Sequence, residues 1–352
     1  MSVIRYLLIF LPFITVAQND PVVFSVYCIG NTGLDTIPSA AVQLMAFESF
    51  DDSLSSIVFA GNISGKDLKK ASFEQRKKIM NAQYSLFTAY RGQLAILPGE
   101  AEWNGARRFG RITNEQCRNY SNAWFTENSI VKNSTSGCYQ EGPAPELHEL
   151  RKGLCLITFD SQWWLQNGRI TFNRKKQKQQ LARFDSLLSK AHEQQQQILV
   201  ASHHPLISNG KHIHHKQPLR FLMNYSPLKI FSLFGADRAL RQDLNQPRYN
   251  RYRSGIQSII QKYPGLIFIA AHEYNMQYIK TKGVHHIISG SGAEVRSIDR
   301  YRYQARFMDD LQPGFFRITF HRSGNVYLHA YGAKDRGEYW KTLMFTHPKT
   351  FE

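Results

Sequence analysis

Residues 198–210 read ILVASHHPLISNG. An apolar run stops at two adjacent histidines, His203 and His204. A proline and a small polar loop through Asn209 follow. Such a run reads as a buried strand whose C-terminal end projects imidazoles into a cleft. Ligand clefts of open α/β sheets lie at that end. Taken alone, the stretch is equally compatible with two histidines on a surface loop. The rest of the chain has to supply the cleft.

Four more apolar runs end in short polar turns: GNTG from Gly30, GNIS from Gly61, GEAE from Gly99 and AHEY from Ala271. The elements that must position them alternate. Strand-like runs at 22–33, 56–65, 93–105, 153–165, 198–204 and 266–271 are separated by helical patterns from Pro38 onward and at 68–91, 174–197 and 250–262. Strands alternating with helices imply a parallel core sheet. Residues 285–292 and 314–331 supply the last strands. Residues 107–149 and 211–249 are polar and weakly periodic, and read as insertions at the loop end of the sheet. No internal repeat or low-complexity linker divides the chain, so residues 18–352 read as one domain.

The N-terminus has a different character. One positive charge lies within Met1–Arg5, an apolar run covers 6–16, and Thr15-Val16-Ala17 offers a small-residue cleavage site. Residues 1–17 read as a secretory signal peptide. No later apolar run reaches the roughly 18 residues that a membrane helix needs. The formal charge of +17 would suit nucleic acid, an anionic membrane or phosphorylated ligands. No nucleic-acid-binding motif accompanies it, so a generic basic surface is expected and no nucleic-acid partner. Of the four cysteines, Cys28 and Cys155 fall in apolar runs and read as buried thiols. Cys117 and Cys138 flank a polar loop and could pair in an oxidising compartment.

In order and setting, the five turns resemble the strand-end motifs of the calcineurin-like metallophosphoesterases, including the purple-acid-phosphatase branch, which read GDxG, GDxxY, GNH[DE], VxxH and GHxH. LITFDSQWWL, PGLIFIAAHEYNMQYI and HHIISGSG are similar to segments of a bacterial exported subgroup, which stands alone or precedes an outer-membrane barrel. The resemblance implies an α/β fold of two packed mixed β-sheets flanked by helices, a four-layer αββα sandwich. It also implies two metal ions that polarise a phosphoryl oxygen and generate hydroxide.

Residue by residue, the match is incomplete. Asn31 stands where the first aspartate belongs, and Asn62 where the bridging aspartate belongs. Ser64 falls at the second-motif tyrosine. Glu100 replaces the asparagine ligand, Ala101 the general-acid histidine and Glu102 the following acid. His203 and His272 are kept, and Tyr274 replaces the final histidine. A neutral amide does not offset the repulsion between two dications, and amide oxygens bind such ions weakly beside carboxylate and imidazole. Loss of a general acid alone costs on the order of 10²–10⁴ in rate. The expectation is a catalytically inactive relative without a cofactor, serving as a structural or accessory subunit of the bacterial cell envelope, in the periplasm or at the outer membrane, with an envelope or outer-membrane protein as partner.

Two alternatives stay open. Glu100, His203 and His272, with Asn62 as a fourth donor, make a mononuclear set for Zn or another divalent metal, which would allow a residual phosphoesterase. Equally, Glu100 could pair with a histidine and no metal be present. A non-hydrolysing sensor of a phosphorylated ligand is the other alternative. His204 and Asn209 would then line the substrate-side loop, or simply hold it in place. Trp163 and Trp164 read as packing, the HIHH run at 212–215 as an exposed cluster, and Arg248, Arg251 and Arg253 as a solvated face.

Overall fold

The computed structural model describes residues 20–65, 72–106, 109–128, 137–140, 142–166, 174–210, 247–298 and 302–351. The expected signal peptide and the HIHH run lie outside these residues, as does most of the 211–249 stretch.

Two seven-stranded mixed sheets form the centre. In the first, β1 (Val22–Ile29), β2 (Ser55–Phe59), β3 (Gln93–Ile96) and β4 (Gly137–Tyr139) run parallel. The antiparallel strands β12 (Gly314–His321), β13 (Asn325–Gly332) and β14 (Gly337–Thr346) extend it from β1. In the second, β6 (Leu154–Phe159), β7 (Gln197–Ser202), β8 (Ile267–Ala270) and β10 (Val284–Ser289) run parallel. Antiparallel β5 (Glu146–Arg151) borders β6, antiparallel β9 (Met276–Thr281) borders β10, and β11 (Phe307–Asp309) pairs with β9 at the edge.

Side-chain alternation makes the layers. Val26 and Cys28 of β1 join Leu199 and Ala201 of β7 and Ile267 and Ile269 of β8 in a core between the sheets. Their sequence neighbours Tyr27 and Ile29 face outward, packing with α1 (Ala40–Ser49), α2 (Phe73–Tyr84) and α3 (Gly110–Glu127). Ile198 and Val200 likewise face α4 (Ser161–Leu165), α5 (Arg174–Glu193) and α6 (Pro247–Ile260). Strands buried on both faces must be apolar throughout, which is why these read as continuous runs rather than alternating ones. The expected αββα order is the one observed.

Several boundaries differ from the sequence reading. Part of the 107–149 stretch is the helix α3, which buries Cys117, Trp124 and Phe125, and the strands β4 and β5 complete the two sheets. Its apolar positions are few but fall on one helical face, a pattern that a polar composition hides. Cys117 is a free, buried thiol, pushed up to about 12 by burial, so the proposed pairing with Cys138 is not formed. The Cys138 side chain lies outside the described residues. The expected helix at 68–91 is described as α2, opened by a Ser72–Gln75 capping box, plus a short 3-10 turn. Trp163 and Trp164 sit on α4 rather than at a strand end, because Asp160 ends β6 and caps the helix. Both are buried in the outer core, as packing residues.

Candidate functional site

The C-terminal ends of β1, β2 and β3 from one sheet meet those of β7 and β8 from the other. Backbone hydrogen bonds join neighbouring turns: Asn31 N–H donates to Gly61 O (2.9 Å), Gly33 N–H to Asn62 O (2.9 Å) and Ala271 N–H to His203 O (3.0 Å). Asn31, Asn62 and His272 have φ of 55°, 59° and 58°. Asparagine and histidine are both enriched in this left-handed region, where a residue with a Cβ pays about 1–2 kcal/mol. Gly61, at φ 92°, lies so close to His203 that an added Cβ would come within 2.5 Å of Nδ1.

Asn31 and Asn62 lie side by side at these strand ends and bond to each other. Asn62 Nδ2 donates to Asn31 Oδ1 (2.9 Å). Asn31 Nδ2 donates across the sheets to Gly290 O (2.9 Å). Asn62 Oδ1 accepts from Ala101 N–H (2.8 Å). The second Asn62 hydrogen faces Glu100 Oε1 at 3.5 Å. Where the resemblance implies two carboxylates, two amides form a hydrogen-bonded chain whose oxygens already accept N–H donors. Both side chains are nearly fully buried. This arrangement does not fit a pair of bridged dications, which need anionic oxygens at these positions. The Asn62 oxygen, a donor in the expected mononuclear set, already accepts one hydrogen bond from Ala101.

Glu102 takes a different role from a ligand. Its buried carboxylate accepts four backbone N–H groups: Asn62 (2.9 Å) and Gly99 (2.7 Å) at Oε2, and Ile63 (2.9 Å) and Ser64 (2.8 Å) at Oε1. Such a ring of donors satisfies a buried anion. Arg76 of α2 donates to Ser64 Oγ (3.1 Å) and Ala101 O (2.9 Å), tying the helix to the same turns. Ser64 is therefore part of the scaffold.

The imidazoles converge differently from expectation. His203, His204 and His272 are all buried, and each offers a ring nitrogen within 4.8 Å of the others. The His204 and His272 ring centroids are 4.4 Å apart, and those of His203 and His272 are 5.3 Å apart. His203 Nδ1 donates to Ala60 O (2.6 Å). His204 Nδ1 lies 2.9 Å from Ser161 Oγ, which also accepts the His204 backbone N–H (3.0 Å). Glu100 Oε2 is 3.9 Å from His272 Nδ1, and Glu100 is the more exposed of the two at 23%. His203 and His272 thus come together with His204, while Glu100 approaches His272 and lies outside the three-histidine cluster. The adjacency of His204 to His203 was the available signal. Two neighbours on a strand point apart, but β7 ends at Ser202, so both rings turn inward.

The remaining residues hold loops. Asn209 exchanges two hydrogen bonds with the Tyr303 backbone, through Nδ2 (3.0 Å) and Oδ1 (2.7 Å). Tyr274 is buried, with the Arg296 guanidinium 4.1 Å over its ring. Below the histidines, Asp160 accepts from Trp103 Nε1 (3.1 Å) and the Trp163 backbone (3.0 Å). Burial raises its carboxyl to about 7.

No protein-family model matches the chain, and no curated protein matches it by sequence. Solved structures do match. A dimetal phosphatase from Danio rerio aligns with a TM-score of 0.56 at 11% identity, covering 93% of this chain and 100% of its own. A purple acid phosphatase from yellow lupin seeds aligns with a TM-score of 0.57 at 13% identity, covering 91% of this chain and 53% of its own. GAP50, the anchor in the inner membrane complex of Plasmodium, aligns with a TM-score of 0.53 at 15% identity, covering 93% of this chain and 90% of its own. Two mixed sheets with flanking helices, shared with these phosphatases over nine-tenths of the chain, give this protein a metallophosphoesterase-like fold.

Proposed function

We propose that this chain is a non-hydrolysing metallophosphoesterase-like protein that acts as a structural or accessory subunit of a cell-envelope assembly. The observation that carries this reading is the Asn31–Asn62 amide chain, in which each oxygen accepts an N–H where dinuclear chemistry needs an anion. Ala101 adds to it, since a methyl group at the general-acid position transfers no proton.

The accessory role rests on three further points. The N-terminal sequence reads as an export signal. GAP50, of similar fold, is an anchor in a membrane complex. The outer side of α1 and its flanks expose Ile37, Phe47, Phe50 and Leu54, the kind of apolar surface that protein partners cover. Among the described residues no helix is long and apolar enough to cross a membrane, so attachment would run through a partner.

The test is hydrolysis of p-nitrophenyl phosphate and its bis ester with excess Mn²⁺, Zn²⁺ or Fe²⁺. The wild type is expected to match His203→Ala at background. Metal-dependent turnover that disappears in His203→Ala would overturn the reading. For the accessory role, the protein should sediment with the membrane fraction, and Phe47→Glu/Phe50→Glu should release it. Soluble wild type would count against attachment.

A further inference from the structure

The three buried histidines do not belong to the amide chain. The metal sets implied by the resemblance place two imidazoles, at His203 and His272, beside an asparagine oxygen and a bridging carboxylate. Here Glu100 stands in the place of that asparagine, and the bridging carboxylate is the Asn62 amide, whose oxygen accepts from Ala101 N–H. A third imidazole, His204, joins the two from the turn that carries His203.

The supporting contacts are those of a ligand set. A histidine that binds a metal through one nitrogen almost always has the other held by a carbonyl, carboxylate or hydroxyl. The Ala60 carbonyl takes the Nδ1 proton of His203, which fixes the tautomer with the lone pair on Nε2. Ser161 Oγ holds Nδ1 of His204 and is itself fixed by the His204 backbone N–H. Tyr252 O–H donates to Ser202 Oγ (2.8 Å), which donates to His204 O (3.0 Å), so the turn carrying both rings is braced. The Glu100 carboxylate faces Nδ1 of His272. His272 pays for a left-handed backbone to face the other two.

We propose that His203, His204 and His272 bind one Zn²⁺ ion, with Glu100 orienting His272 from outside the ligand shell. Zinc suits three imidazoles because it takes nitrogen ligands in a tetrahedral set without redox chemistry. The ion would pin the end of β7 to the end of β8, with solvent access on the side of Glu100. This inference is independent of the non-hydrolysing reading: a protein without zinc could still be an accessory subunit, and a zinc-bound one need not cleave phosphoesters.

The purified protein, equilibrated with Zn²⁺ and dialysed, is expected to hold one zinc per chain. Zinc-edge X-ray absorption on that wild-type sample should fit three imidazoles. His204→Gln should lose stoichiometric zinc. Glu100→Gln should keep it with affinity weakened about 10- to 100-fold, as for other outer-shell partners. Circular dichroism checks that each variant is folded, and the wild-type absorption count stands even where one is not. Zinc at background, a fit to two imidazoles, unchanged zinc in folded His204→Gln, or complete loss in folded Glu100→Gln would each overturn the proposal.

Discussion

The chemistry of the cleft turns on two oxygen-for-nitrogen exchanges. An aspartate and an asparagine have nearly the same shape, so Asn31 and Asn62 fit the positions where the resemblance implies carboxylates. What changes is that each side chain now donates as well as accepts. Asn62 donates to Asn31, and Asn31 donates to Gly290. These buried amides are satisfied by hydrogen bonds. Glu102 is the anionic counterpart, holding the turns at Asn62 and Gly99 through four backbone donors. Its value is structural, and Glu102→Gln tests that. An amide keeps one acceptor oxygen and turns an NH₂ group on the remaining N–H donors. The expected loss is on the order of 3 kcal/mol, read from urea unfolding. A change within 0.5 kcal/mol would mean that the ring of donors contributes little.

At the scale of elements, the strand ends were legible and their contents were not. Apolar runs followed by Gly-Asn, Gly-Glu or His-His mark where β1, β2, β3 and β7 stop, because buried parallel strands are apolar on both faces and turns are not. The same rule failed over residues 110–127. Only a few apolar residues of α3 are buried, among them Cys117, Trp124 and Phe125, and polar residues between them mask the helical period. The sequence also could not show that His204 meets His272, since the two are brought together by β7–β8 pairing and not by their spacing. Nor could it show that the Asn62 oxygen is already occupied, because Ala101 reaches it through a backbone N–H that any residue would supply. The left-handed turn at His272 gives a test of its own. Without a ligand to hold, φ of 58° favours glycine over any residue with a Cβ. His272→Gly is expected to be more stable than His272→Ala by about 1 kcal/mol in metal-free protein. Equal stabilities in thermal unfolding would mean that the turn relaxes and stores no strain.

At the scale of the whole molecule, burial sets the response to pH. His285 and His286 on β10 are both pushed down to about 3, chiefly by burial in the second sheet. An unfolded chain protonates these rings near pH 6.5, while the folded protein does not. Their contribution to stability is therefore complete above about pH 6.5 and is lost progressively toward pH 3. Asp160 runs the other way: with its carboxyl raised to about 7, stability from that group is greatest below about pH 4 and declines toward pH 7. The histidines are separable by substitution. Between pH 7 and 5, the wild type should lose about 2 kcal/mol more than His286→Phe, measured as the difference in unfolding free energies. Parallel pH profiles would show that His286 protonates in the folded state as readily as in the unfolded one.

Counting bound ions separates the proposed non-hydrolysing protein, with Asn31 and Asn62 hydrogen-bonded to each other, from a dinuclear enzyme. The protein would be saturated with Zn²⁺ or Mn²⁺, freed of weakly held metal, and its ion content measured by elemental analysis against protein concentration. One ion per chain, held by the three histidines, is expected. Two ions per chain, one of them lost in Asn62→Ala, would contradict the non-hydrolysing proposal, because that ion would lie where Asn31 and Asn62 are bonded to each other.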